Sequence, residues 1–139
     1  MPMHIHVNHS GIVQLTVRKD PRRGDLFVAE AAKNIPFPIR RVYFVNNVRE
    51  ASAIRGGHAH KKLSQIIVCA NGSFVLNLDD GKHKQSILLD KPTFGIILKP
   101  KLWHTMSKFS KDCVILVFAS AHYNERDYIG TYNDFLKVV

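Results

Sequence analysis

Acidic residues are scarce in this chain: 11 Asp and Glu stand against 20 Lys and Arg, a formal charge of +9 with histidine neutral. Such an excess favours an anionic partner over a cationic one. Cysteine is scarcer still. Cys69 and Cys113 each lie in an apolar run without CxxC spacing and read as buried free thiols of a reducing compartment. No hydrophobic run approaches the length needed to cross a bilayer. Residues 1–6 lack the long apolar stretch of a secretory signal. A cytoplasmic protein without membrane contact is therefore expected. Linkers, low-complexity stretches and internal repeats are also missing. With 139 residues, 45% of them hydrophobic, the chain is expected to form a single domain over 1–139, with residues 1–10 as a candidate flexible tail.

The basic residues form no single block. They come as Arg18-Lys19, Arg22-Arg23, Arg40-Arg41 and Lys61-Lys62, dispersed among apolar runs. Neither zinc-finger spacing nor a basic helix is present. No nucleic-acid partner is expected, and a small phosphorylated ligand fits better.

Short β-branched and aromatic runs recur between turn residues. They are Ile12–Val17, Leu26–Glu30, Arg41–Val45, Ile66–Ala70, Ser73–Leu78, Ser86–Leu89, Phe94–Leu98 and Val114–Ala119. Asn71-Gly72 reads as a hairpin signal, and Asp20–Asp25 and Asp79–Lys82 as turns. Only Asn124 to Lys137 is suited to short helical turns. Many short strands at regular spacing mean an all-β sandwich or barrel, whose mouth is a natural site for a small ligand.

The most informative segment is Arg55-Gly-Gly-His58-Ala-His60-Lys-Lys62. In a strand, alternate side chains share a face, so His58 and His60 point the same way and Ala59 the other. Paired imidazoles suggest metal ligation or acid–base chemistry. In the latter, like charges disfavour each other, so one ring stays neutral as a base while the other holds or donates a proton. On the third run, Arg41, Tyr43 and Val45 share one face. If that face looks inward, Tyr43 supplies a hydroxyl and Arg41 a fixed cation.

The histidine segment resembles the first motif of the cupin superfamily, and Pro100-Lys-Leu-Trp103-His104 resembles part of the second. Metal-binding cupins carry a glutamate where this chain has Gln65, and a neutral amide is a poor substitute in a cation site. More specifically, the chain resembles the nucleotide-sugar 3,4-ketoisomerases over about Ile12 to Lys137. The carriers are Asp20-Pro-Arg-Arg23-Gly24, Asn34-Ile-Pro-Phe37, Arg40-Arg-Val-Tyr43, His58-Ala-His60-Lys61-Lys62, Asp79-Asp80-Gly81, Trp103-His104 and Asp127-Tyr128-Ile129.

That resemblance implies a jelly-roll barrel, a homodimer, and no metal or other cofactor. The implied reaction moves the carbonyl of dTDP-4-keto-6-deoxy-D-glucose from C4 to C3. Its implied place is the making of 3-amino-3,6-dideoxy sugars for surface glycans such as lipopolysaccharide. His58, His60 and Tyr43 become candidate catalytic residues, with either histidine as the carbon base. Arg23, Arg41, Arg55, Gln65, Trp103 and His104 become candidate contacts to a dTDP-linked keto-deoxysugar, with Arg22 an alternative to Arg23 at the diphosphate. Competing readings are a dTDP-sugar 3,5-epimerase, a non-catalytic sugar-nucleotide-binding cupin and a metal-dependent cupin dioxygenase.

Overall fold

The structure, a computed structural model, describes residues 3–139; Met1 and Pro2 lie outside them. The alternating runs become β1 (Ser10–Gln14), β2 (Thr16–Asp20), β3 (Gly24–Val28), β4 (Arg41–Val45), β5 (Arg55–His60) and β6 (Gln65–Asn71). They continue as β7 (Phe74–Asp79), β8 (Lys84–Leu89), β9 (Phe94–Leu98), β10 (Trp103–Ser107), β11 (Val114–Ala119) and β12 (Tyr128–Ile129). A 3-10 turn at Glu125–Asp127 and a short helix, α1 (Tyr132–Leu136), are the helical turns expected near the C-terminus. No helix of the described residues is long and apolar enough to cross a membrane.

Two antiparallel five-stranded sheets, ordered β1-β9-β6-β11-β4 and β12-β5-β10-β7-β8, make a cupin-type jelly roll. The main core lies between them: Ile67, Cys69, Ile96, Ile115 and Val117 from the first sheet meet Phe74, Leu76, Leu78, Ile87 and Leu89 from the second. β6 is central and buried on both faces. Ile67 and Cys69 point into the barrel, whereas Ile66 and Val68 point outward into a second cluster with Leu15, Ile35 and Ile97. That explains why its sequence is a continuous apolar run. A third cluster of Ala59, Ile129 and Phe135 seats α1 on the outside of β5.

Several details differ from the sequence reading. Ile12–Val17 is not one strand. It divides at buried Leu15, whose N–H is taken by the Thr93 carbonyl at 3.0 Å. β1 then pairs with β9, while β2 turns away to form a separate ribbon with β3. Asn71-Gly72 is a turn but not a hairpin, because β6 and β7 belong to opposite sheets. Its polar groups are held by the loop before β11: Asn71 donates to the Asp112 carbonyl at 2.9 Å, and Ser73 N–H to Ser110 Oγ at 2.9 Å. β10 and β12 had no place in the sequence reading. The expected tail is packed from Met3 onward, with Met3 and Ile5 against the main core and the His4 carbonyl accepting from the Gln85 amide at 2.7 Å. Val7 is in the main core, Asn8 N–H donates to Asp80 Oδ2 at 2.7 Å, and Ser10 opens β1. Met1 and Pro2 of that tail lie outside the described residues.

Candidate active site

β5 enters the second sheet through two consecutive glycines, both left-handed (φ 79° at Gly56 and 78° at Gly57). Opposite them, β10 pairs His104 with His58 and then Thr105 with Gly56. Gly57 is the extra residue of a β-bulge. A Cβ on Gly56 would stand 2.9 Å from the His104 carbonyl oxygen, so glycine is required by both dihedral and space.

Beyond the bulge, strand alternation acts as expected. Ala59 is fully buried on the outer face. His58 and His60 share the inner face, with ring centroids 4.9 Å apart. β10 adds His104 from across the ladder, its ring 4.9 Å from His58 and 5.9 Å from His60. His104 Nδ1 lies 3.1 Å from the Leu102 carbonyl. A carbonyl only accepts, so this nitrogen carries the proton.

β12 completes the cluster from the C-terminal segment. Tyr128 pairs with His60, and its ring lies 4.8 Å from His58 and 4.6 Å from His60. Asp127 fastens this strand: its carboxylate accepts the N–H groups of Lys62 and Leu63 at 2.9 and 3.1 Å, and its carbonyl accepts that of Lys61 at 2.9 Å. Sequence reasoning missed Tyr128 as a site residue. The only sign was the Asp127-Tyr128-Ile129 segment, inside a stretch read as helical.

The opposite wall comes from β4 and β6. Val42 and Phe44 are exposed at 54% and 65%, so Arg41, Tyr43 and Val45 form the inward face. Buried Gln65 donates its amide to the Tyr43 hydroxyl at 2.8 Å. The Arg41 guanidinium carbon lies 5.3 Å from the Tyr43 ring centre. Between the walls is a cavity of about 240 Å³ lined by Arg41, Tyr43, Arg55, His58, Met106 and Tyr128 among others.

The structure thus gathers His58, His60, His104, Tyr43, Arg41, Arg55 and Gln65 around or directly behind one cavity. It does not bring Arg23 or Trp103 there. Arg23 is at the tip of the β2–β3 ribbon, which joins neither barrel sheet; its exposed Nε donates to Asp20 Oδ2 at 2.8 Å. Arg22 lies in the same exposed turn. Trp103 neighbours His104 on a strand and so faces the other way, packing 5.5 Å from Tyr132 and 5.8 Å from Phe135.

Residues 8–139 match the model of the FdtA family, described as WxcM-like, C-terminal. The chain belongs to this family. It is 49% identical over 117 residues, 84% of each sequence, to the TDP-4-oxo-6-deoxy-alpha-D-glucose-3,4-oxoisomerase of Aneurinibacillus thermoaerophilus. It superposes on a 3,4-ketoisomerase from Helicobacter canadensis with a TM-score of 0.89 and 36% identity, covering 96% of this chain and 98% of that one. It superposes on QdtA, a sugar 3,4-ketoisomerase from Thermoanaerobacterium thermosaccharolyticum in complex with TDP, with a TM-score of 0.92 and 34% identity, covering 96% of each.

In this FdtA-family cavity, burial governs the electrostatics. It holds His58 below the ordinary histidine value, partly offset by a hydrogen bond to the Gly56 backbone. Burial, then the neighbouring His58 and Arg41 charges, push His60 down to about 4. Burial and His58 push His104 down to about 3. Rather than one neutral ring and one charged, all the rings are neutral bases at pH 7. Tyr43 moves the opposite way: burial raises it above the usual phenol value, against the Gln65 hydrogen bond and Arg41. Its hydroxyl accepts from Gln65, which leaves its own proton free to donate. A base, an acid and a cation therefore stand around one space without a carboxylate.

Proposed function

We propose that this chain is a sugar-nucleotide 3,4-ketoisomerase acting on dTDP-4-keto-6-deoxy-D-glucose. The observation that carries the reading is the placement of His58 and Tyr43 around one cavity that also holds Arg41, with burial lowering the imidazole and raising the phenol from their ordinary values. The substrate is supported by the Aneurinibacillus relative's reaction and by the TDP bound to the Thermoanaerobacterium neighbour.

A C4 ketone acidifies the hydrogen on C3. His58 lines the cavity and is less buried than His60, so it is the better placed carbon base. As the C3–H bond breaks, electrons move through the new C3–C4 double bond onto the C4 oxygen. Tyr43 donates its proton there, and the Arg41 charge offsets the enolate. The enediol then collapses: the C3 hydroxyl loses its proton, restoring the phenol, and the His58 imidazolium delivers a proton to C4. The net change is one hydrogen moved between carbons and one between oxygens, with the carbonyl at C3. No external oxidant is required. His60, whose ring stands 4.9 Å from that of His58, is its proton partner in this scheme.

We also propose that the chain acts as a homodimer. β4 is an edge strand of its sheet and presents Val42 and Phe44 outward, while Leu26 on the ribbon is 58% exposed. If the ribbon reaches over a second copy, Arg23 of the partner subunit is available to the diphosphate. The proposed setting is the cytoplasm, where the product enters the making of 3-amino-3,6-dideoxy sugars for surface glycans.

The test is incubation with dTDP-4-keto-6-deoxyglucose in D₂O, followed by NMR. The expected product has its carbonyl at C3. A carbonyl still at C4 with an inverted ring carbon would identify a 3,5-epimerase, and binding without conversion a non-catalytic module.

A further inference from the structure

A second His-x-His stands at His4 and His6, outside the barrel. Burial alternates along this segment: Met3 and Ile5 pack on the main core and Val7 lies within it, while His4 and His6 are exposed. Both imidazoles therefore stand on the outer side, their ring centroids 6.4 Å apart. Gln85 on β8 docks the segment, accepting the His6 N–H at 3.1 Å and donating to the His4 carbonyl at 2.7 Å. That docking brings His6 beside the turn between β7 and β8, where the His83 ring centroid lies 6.5 Å from its own. Two segments far apart in sequence thus present three exposed imidazoles side by side.

His83 is already oriented as a ligand. Its Nδ1 lies 3.1 Å from Asp80 Oδ2. Burial disfavours the Asp80 charge, but the N–H groups of His83, Asn8 and Lys82 and the His83 ring outweigh it and hold the carboxyl far below its usual range. A carboxylate only accepts, so the neutral His83 ring carries its proton on Nδ1 and keeps the Nε2 lone pair free. A carboxylate behind the ring is the support commonly found beneath a metal-bound imidazole. Asn8 N–H donates to the same Oδ2 at 2.7 Å, so the N-terminal segment and the turn share this carboxylate.

We propose that His4, His6 and His83 form a surface site for one zinc-like divalent cation, which clips the N-terminal segment to the β7–β8 turn. Nitrogen donors select Zn²⁺, Co²⁺, Ni²⁺ or Cu²⁺ over Mg²⁺ and Ca²⁺. Zn–N bonds of about 2.0–2.1 Å set imidazole centres roughly 5 Å apart around a tetrahedral ion, so each gap closes by about 1 Å. Exposed side chains achieve that by small changes of χ angle. Lys82 and Lys84 flank His83 and oppose a cation, but both are exposed and screened by salt. The Asp80 charge is fixed against the ring and favours it. The three histidines share no residue with the lining of the cavity between β4 and β5, so the site does not rest on the proposed isomerase activity.

The test titrates ZnCl₂ into the full chain by calorimetry and CoCl₂ by its visible ligand-field bands, with thermal unfolding followed alongside. The wild-type chain is compared with His6→Ala and His83→Ala, which alter exposed rings and should keep the wild-type circular dichroism spectrum. Expected is one equivalent of zinc bound at micromolar concentration, with a melting temperature that rises with zinc and falls back with EDTA. Each substitution should weaken this binding by about 100-fold or more, since even a supporting partner is worth about 10–100-fold, and should remove the rise in melting temperature. Zinc taken up elsewhere, as by the cavity histidines, is insensitive to these substitutions, so the difference between the proteins is the reading. Equal zinc binding by the wild-type chain and His83→Ala overturns the site, as does binding seen only at millimolar zinc. An unchanged melting temperature in a wild-type chain that binds the ion overturns the clip.

Discussion

Gln65 reaches past the strand between β6 and β4 to donate its side-chain amide to the Tyr43 hydroxyl at 2.8 Å. The position where metal-binding cupins place a carboxylate is thus occupied by a group that orients a phenol. Tyr43→Phe should lower kcat by about 100-fold, the usual scale of a lost general acid, with KM little changed. Gln65→Leu should reproduce part of that loss, about 10-fold, because the phenol remains but is no longer aimed. Steady-state kinetics of both variants and of the double variant check this. A double variant no slower than Tyr43→Phe is expected, since the amide acts only through the hydroxyl.

The pH profile should be wide and flat. His58 must be neutral to act, and its value in the fold lies below the ordinary 6.5. The acid limb of kcat/KM is therefore expected below pH 6.5. Tyr43 must be protonated, and its value lies above 10, so no alkaline limb from this group is expected until pH exceeds 10. A rate profile across this range on folded protein is the measurement.

Stability should fall in acid for a related reason. His60 titrates at about 4 in the fold against 6.5 for an ordinary histidine. Between these values the unfolded chain binds the proton and the folded chain does not. Stability is therefore fully present above pH 6.5 and is lost as pH falls through the folded value. The loss is about 3 kcal/mol for this residue alone. His104, at about 3, extends it further into acid. Urea unfolding from pH 7 to 4 should show a falling midpoint, and His60→Asn should flatten the slope.

Gly56→Ala places a Cβ 2.9 Å from the His104 carbonyl at a φ of 79°. The cost should be about 1–3 kcal/mol. It should also reduce activity beyond the stability loss, because the bulge sets the height of His58 opposite His104. Thermal unfolding and kcat below the melting transition separate the two effects.

Trp103 offers the opposite pattern. It packs on Tyr132 and Phe135 outside the barrel, so Trp103→Ala should cost about 2–3 kcal/mol yet leave KM for the sugar nucleotide nearly unchanged. A large KM increase in a well-folded variant would restore it as a substrate contact.

Local pattern alone carried much of this molecule. The bounds of β4, β9 and β11 follow from their apolar runs, and the shared face of His58 and His60 follows from strand alternation. Where the pattern failed, long-range pairing was responsible. Trp103-His-Thr-Met-Ser107 has too few apolar residues to read as a strand, and it becomes β10 because β5 and β7 supply its hydrogen bonds. Tyr128–Ile129 is too short to announce itself, and β12 exists because Asp127 clamps it to the end of β5. Arg23 and Trp103 have the right chemistry, but nothing local says which way a ribbon leaves the barrel or which face a strand residue will take.

The amino-acid order determined a β-rich basic domain and the pairing of two imidazoles on one strand, because side-chain alternation is a property of neighbouring residues. Only the tertiary structure decided that His104 and Tyr128 join them, that Gln65 serves Tyr43, and that the rings stand neutral. Those outcomes depend on strand register and on exclusion of water, which arise when segments far apart in the chain close over the same cavity.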